Sequence, residues 1–205
     1  MHTVNGQRST ENILLFMEGK LIIISAPSGC GKSTIISHII NDEALRLSFS
    51  VSAATRAPRE GEVDGVNYYF MSQDEFKVKI ERGEFAEYEQ VYAGNYYGTL
   101  KSEIARIQAM GRNVVLDLDV NGGVAVKGIY GDDALSIFIM PPSLEVLRER
   151  LEKRGTDGPE EIDRRVARAA FEVGRAGEYD AQVVNDDLDT AVEQTRSLIS
   201  GFVNR

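Results

Sequence analysis

Ala26-Pro27-Ser28-Gly29-Cys30-Gly31-Lys32-Ser33 sets small residues, a lysine and a hydroxyl at the spacing of a phosphate-binding loop. The chemistry needs that order. Successive backbone N–H groups turn inward as an anion nest, and glycine lets the backbone bend and approach a phosphate. The helix that follows, from Ser33 and Thr34 onward, adds its positive N-terminal end. Lys32 can then reach the β- and γ-phosphates of a nucleotide, and the Ser33 hydroxyl can ligate Mg²⁺. One position departs from the strict pattern, Ala26 standing where glycine is usual. Asp117 and Asp119 close a second apolar run, where open α/β sheets hold their ligands. A carboxylate there, Asp117 through water, can support the Mg²⁺, and strand-end capping is the plainer role. Arg56 and Arg59 flank Pro58 in a loop, so two guanidinium forks can converge on a second phosphate. Gly94-Asn95-Tyr96-Tyr97-Gly98-Thr99 supplies phenols and a hydroxyl.

These groups need a frame. Lys20–Ala26 is a short continuous apolar run, as are Asn113–Leu118, Ala134–Met140 and the shorter Ala181–Val184. Such runs suit strands buried on both faces of a parallel sheet. Between them, Ser33–Ile40, Leu100–Met110, Ser143–Lys153, Pro159–Arg175 and Leu188–Phe202 carry helical spacing. Strands alternating with helices predict a doubly wound α/β sheet of the P-loop NTPase type, helices on both faces. The stretch 48–98 breaks that rhythm with aromatics, glycine turns and short alternating runs. Its one helix, Gln73–Arg82, opens on a capping box of Ser72 and Glu75. It reads as a small mixed α/β lobe inserted in the core domain. A second insertion, a helical lid, is expected near 148–175, where arginine-rich helices flank the turn Gly155–Pro159.

Composition narrows the function. Among 205 residues, 23 bases against 32 acids leave a net charge of −9, which argues against binding a nucleic-acid polymer. The acidity sits in two blocks, 60–89 and 178–193. No apolar run approaches the roughly 20 residues of a membrane span, and the start is not that of a signal peptide. The single cysteine, Cys30, cannot form an internal disulfide and suggests a reducing, cytoplasmic setting. Cys30 reads as a small loop filler; a thiol beside Lys32 and a helix N-terminus can also have a lowered pKa and be open to oxidation. A GTPase would carry an Asn-Lys-x-Asp guanine reader, and none is present. Two separate cation groups suit a kinase that passes phosphate between two bound nucleotides.

Three runs are specific together: Thr55-Arg56-Ala57-Pro58-Arg59 through Gly61-Glu62 and Gly65 to Tyr68-Tyr69-Phe70, Gly94-Asn95-Tyr96-Tyr97-Gly98, and Val183-Val184-Asn185-Asp186. With them the chain, over residues 20–204, resembles the guanylate kinases. The resemblance implies transfer of phosphate from ATP to GMP, with dGMP a further acceptor, and Mg²⁺ as cofactor. It implies that Arg56, Arg59, Tyr68 and Tyr97 hold the GMP phosphate and that Glu87 and Asp119 read guanine. Ser52 and Thr99 match hydroxyl positions near the base, and Asp117 is grouped with that site. Guanine presents N1–H and N2–H₂ donors side by side, which carboxylates accept and adenine does not offer. Leu147-Arg148-Glu149-Arg150 to Arg154-Gly155 resembles the family's lid, so Arg150 and Arg154 would clamp ATP phosphates and Arg165 would complete the catalytic set with Lys32 and Arg56. Asn185 matches a position near the ATP adenine. The expected organisation is an extension over 1–19, a core of 20–51 and 99–205, and a GMP-binding lobe over 52–98.

Arg148, Arg164 and Arg168 read instead as surface salt bridges with interleaved acids. Tyr69, Tyr88 and Tyr92 read as packing. Val120-Asn121-Gly122-Gly123 departs from the family's sequence and is expected as a turn. Two rival readings remain: a protein-binding module that has lost the phosphate site, which the presence of Lys32, Ser33 and the lid arginines opposes, and another nucleoside monophosphate kinase, which Glu87 and Asp119 oppose.

Overall fold

A computed structural model describes residues 19–90 and 94–205. The expected extension, apart from Gly19, and Tyr92 lie outside the described residues. Five parallel strands form the core sheet, in the order β2-β7-β1-β8-β9. They are β1 (Leu21–Ser25), β2 (Leu47–Phe49), β7 (Asn113–Leu118), β8 (Ala134–Met140) and β9 (Ala181–Val184). All five residues of β1 are buried, because this central strand has helices over both faces. Its side chains alternate. Ile22 and Ile24 join α1 (Lys32–Ile39), α5 (Leu144–Arg154), α6 (Pro159–Val173) and α7 (Leu188–Val203) in one apolar cluster. Leu21 and Ile23 join α3 (Lys101–Ala109) and α4 (Val120–Tyr130) in another. The period of two within one strand is what divides the core.

A second sheet, in the order β4-β3-β6-β5, is built from β3 (Ala53–Ala54), β4 (Tyr69–Phe70), β5 (Phe85–Gln90) and β6 (Tyr96–Leu100). Helix α2 (Gln73–Glu81) covers it, and the Ser72–Glu75 capping box opens that helix. Phe76 stacks on Phe85 with ring centres 4.2 Å apart and on Tyr96 at 5.3 Å. A register shift between Phe85 and Glu87 sets Glu87 opposite Thr99 on β6. Bulges re-aim side chains in this way next to sites. Tyr69 is half-buried and its hydroxyl donates to the buried Glu103 at 2.8 Å. Tyr88 is 49% exposed, so the packing expected of it is only partial.

Two elements correct the sequence reading. Strand β2 is three residues long and only Leu47 is buried, too little pattern to register as a strand. The expected turn at Val120–Gly123 is the first turn of α4. Glycine costs a helix about 1 kcal/mol per residue, which masks the element in the sequence. A cap offsets this: the Asp119 carboxylate accepts from the Gly122 N–H at 2.8 Å. A side chain at Gly123 would strike the Tyr179 hydroxyl and come within 2.6 Å of Ser25 Oγ, so close packing requires glycine there. Among the described residues no helix is long and apolar enough to cross a membrane.

Candidate active site

The phosphate loop leaves the end of β1 and enters α1. Gly31 has φ of 86°, a left-handed conformation that glycine adopts without strain. A Cβ at this position would also collide with the Asn185 amide. That amide is buried and donates to the Cys30 carbonyl at 2.8 Å. Asn185, matched above to an adenine position, therefore braces the loop backbone here. Lys32 pairs with Asp117 and donates to the Leu118 carbonyl at 3.2 Å. Asp117 lies level with Ile24 of β1 in the sheet register, and its ion pair with Lys32 holds its carboxylate at the loop.

Cys30 overturns the oxidation reading. The side chain is buried, and burial pushes its thiol up to about 12, against the smaller opposing pull of Arg150 and Lys32. It is a packed loop residue, not a reactive one.

A cavity of about 880 Å³ lies over the loop. Residues 26–34, including Ala26, Pro27, Ser33 and Thr34, form its floor. Asp117 and Asp119 stand at one side, and Arg150, Arg154 and Arg165 reach it from the lid helices. Arg165 makes the direct link: it donates to Ser28 Oγ at 2.8 Å while Asp157 at 3.3 Å and Glu161 at 3.2 Å hold its other nitrogens. Arg150 points its guanidinium at the Asp186 carbonyl, 3.4 Å away. Gly155 ends α5 in a left-handed conformation and Pro159 starts α6, so the reversal between these helices is local in origin. Arg148 is paired on the surface with Asp163 at 2.7 Å, as expected. Arg164 pairs with Glu161 and Arg168 with Glu172, yet both also line the cavity.

The second cation group stands apart from this cavity, in the lobe. Arg56 lies 4.8 Å over the Tyr68 ring, and Tyr68 meets Tyr97 edge-on at 5.9 Å. Both Nη atoms of Arg56 donate to Glu62, at 2.5 and 2.7 Å. The Arg59 backbone N–H donates to the same carboxylate at 2.8 Å. Glu62 is thus the fixed counterion of the clamp, and the Arg56 hydrogen bond holds its carboxyl down at about 2. In the sequence Glu62 is only an acid three residues after Arg59, behind Gly61, and that spacing is its one signal.

Between the two groups lies a carboxylate cluster. Thr99 Oγ1 donates to Glu87 at 2.7 Å. Burial raises the Glu87 carboxyl above the ordinary carboxylate range; the Thr99 hydrogen bond opposes this and the Asp119 charge adds to it. Asp119 uses one oxygen to cap α4, and its other oxygen is buried without a hydrogen-bond partner among the described residues. Glu89 joins the cluster unforeseen, its own carboxyl raised by burial and then by Asp119. Ser52 meets the lobe through its carbonyl, which accepts from the Tyr69 N–H at 2.9 Å. Taken together, the chain has one glycine-rich loop ringed by cations, a second arginine pair held by Glu62, and a cluster of carboxylate acceptors.

The guanylate kinase family model matches residues 18–201. A guanylate kinase of Porphyromonas gingivalis is 55% identical over 184 residues, 90% of this chain and 98% of the relative. One from Bacteroides thetaiotaomicron is 51% identical, covering 92% of each. The crystal structure of guanylate kinase from Anaplasma phagocytophilum superposes with a TM-score of 0.69 at 29% identity, over 91% of this chain and 87% of that one.

Proposed function

The chain belongs to the guanylate kinase family, and on that premise we propose how its residues divide the work of an ATP:GMP phosphotransferase. The reaction moves the γ-phosphoryl group of ATP to a phosphate oxygen of GMP. A new P–O bond forms to GMP, the β–γ bridge of ATP breaks, and ADP and GDP leave. The observation that carries the acceptor assignment is the wall of Glu87 and Asp119, oriented by Thr99 and the α4 cap, between two phosphate-binding groups. An acceptor-only wall suits a base edge with adjacent donors, and leaving buried polar groups unpaired costs about 1–3 kcal/mol each.

Residues 26–34 hold the ATP phosphates, and Arg150, Arg154 and Arg165 close over them. Arg56, Arg59, Tyr68 and Tyr97 hold the GMP phosphate, with Ser52 nearby, in the lobe of residues 52–98. Mg²⁺ is commonly bound by substrate phosphates and few protein oxygens, so it would arrive on ATP. Ser33, with Asp117 through water, would receive it, and it would neutralise charge on the β- and γ-phosphates. Lys32 is positioned to leave Asp117 for the phosphates. The acceptor phosphate is already ionised, so positioning and charge neutralisation supply the rate, and lid closure excludes water that would hydrolyse ATP. We place the enzyme in the cytoplasm, acting on free nucleotides and dispensing with nucleic-acid and membrane partners. An ADP-release assay with GMP, dGMP, AMP, CMP, UMP and dTMP tests the reading. Turnover with GMP and dGMP alone is expected; comparable turnover with AMP would break the base assignment.

A further inference from the structure

One face of lid helix α6 addresses both halves of the site. Arg165 donates to Ser28 in the phosphate loop. Arg168, one turn along, has Nη2 3.8 Å from Asp119 Oδ2. That oxygen is the buried one that takes no hydrogen bond among the described residues. Arg168 Nε is anchored at 2.7 Å on Glu172, a further turn along and itself only 7% exposed. Arg168 lines the cavity over the phosphate loop with Asp119 and Glu172. A simple surface salt bridge accounts for the Glu172 contact and leaves the approach to Asp119 unexplained.

We propose that Arg168 is a positioning residue acting through Asp119: it offsets the crowded charge of Glu87, Glu89 and Asp119 and ties the lid helix to the acceptor base site. The proposal rests on the assignment of Glu87 and Asp119 to guanine. Three carboxylates that share a small volume repel one another, and at Glu89 the Asp119 charge raises the carboxyl while the Arg168 charge lowers it. A cation at their rim offsets that repulsion and leaves the open Asp119 oxygen to accept from the base donors. Because the same helix carries Arg165, a lid drawn toward the acceptor side also brings Arg165 over the donor phosphates. The Arg168 side chain keeps 62% of its exposure, so solvent screens the pair and its effect is moderate.

Steady-state kinetics on the full chain test this with wild type, Arg168→Lys, Arg168→Gln and the double variant Arg168→Gln/Glu172→Gln. Arg168→Gln is expected to raise the GMP KM about three- to fivefold and the ATP KM less than about twofold, the range of a screened pair. Arg168→Lys recovers most of the loss, because it keeps the charge. The double variant shows the same GMP defect, because Glu172 no longer stands unpaired and only the link to Asp119 is missing. Wild-type GMP kinetics in Arg168→Gln, equal rises in both KM values, or recovery in the double variant would each overturn the proposal. A wild-type chain that does not phosphorylate GMP breaks the underlying reading instead, and it does so before any substitution is made.

Discussion

The donor and acceptor sides of this site are built on opposite plans. The proposed donor side is one continuous run, residues 26–34, lining one cavity, whose backbone N–H groups would supply most of the phosphate contacts. The acceptor side is side chains drawn from scattered places: Glu87 from β5, Thr99 from β6, Asp119 from the end of β7, and Arg56 from a loop after β3. Its charges are also pre-paired. Arg56 is held in place by Glu62, whereas Lys32 is held by Asp117, a pair that ATP phosphates would displace on the proposed reading. A backbone nest is set by local conformation and tolerates any nucleotide triphosphate. A wall of side chains is set by packing and can discriminate bases.

Substitutions should separate the two plans. The largest effect is expected at Lys32→Ala, a loss of about 10²–10³-fold in kcat, as when one oxyanion-stabilising donor is removed, with the thermal midpoint little changed. Near-normal kcat would mean that the loop does not carry the chemistry. Glu87→Gln should come next, raising the GMP KM by about 10- to 100-fold and the ATP KM hardly at all, since one buried acceptor becomes a donor facing donors. Matching losses for ATP and GMP would erase the distinction drawn here. Glu62→Gln should act more mildly on the same side. It loosens Arg56 without removing it, for an expected rise in GMP KM of about three- to tenfold.

Acidity offers the smallest and most selective probe. Burial makes Glu87 hold its proton to higher pH than an ordinary carboxylate, so on acidification it loses acceptor capacity before an ordinary carboxylate does. Glu62, held at about 2, stays ionised from pH 7 to 5, and the stabilisation from its pairing, present above the ordinary carboxylate range, is lost only as pH falls toward that value. The GMP phosphate itself titrates near about 6, so the informative quantity is the ratio of GMP KM values between Glu87→Gln and wild type. That ratio should shrink as pH drops. A ratio constant from pH 7 to 5 would show that Glu87 ionisation is not what the base meets.

The sequence carried the donor side nearly whole because its signal is local: small residues, Gly-Lys-Ser, and an isoleucine-rich strand before them. Four core strands and six helices follow from period and punctuation alone, and the Ser72 capping box is legible as four residues. The lid arginines were legible only as charges on helices. Which ones face phosphate depended on helix phase against the core, and Arg165 and Arg148 ended on different sides. Helix α4 was hidden because Gly122 and Gly123 weaken its local signal while Tyr179, Ser25 and the Asp119 cap, distant in sequence, make it fit. Glu62, Glu89 and the Asn185 brace carried no readable role, since an acid or an amide gains one only from what stands opposite.

Sequence alone therefore determined the phosphate loop, the alternating strand-and-helix order and the set of groups able to bind two anions. These depend on neighbours within a turn or a strand. Only the tertiary structure decided that Thr99 orients Glu87, that Asp119 keeps one buried oxygen open, and that Glu62 holds Arg56. Two of these are contacts of one or two hydrogen bonds and the third is an oxygen left without one; all depend on groups that the chain must bring together, and geometry at that scale is set by packing.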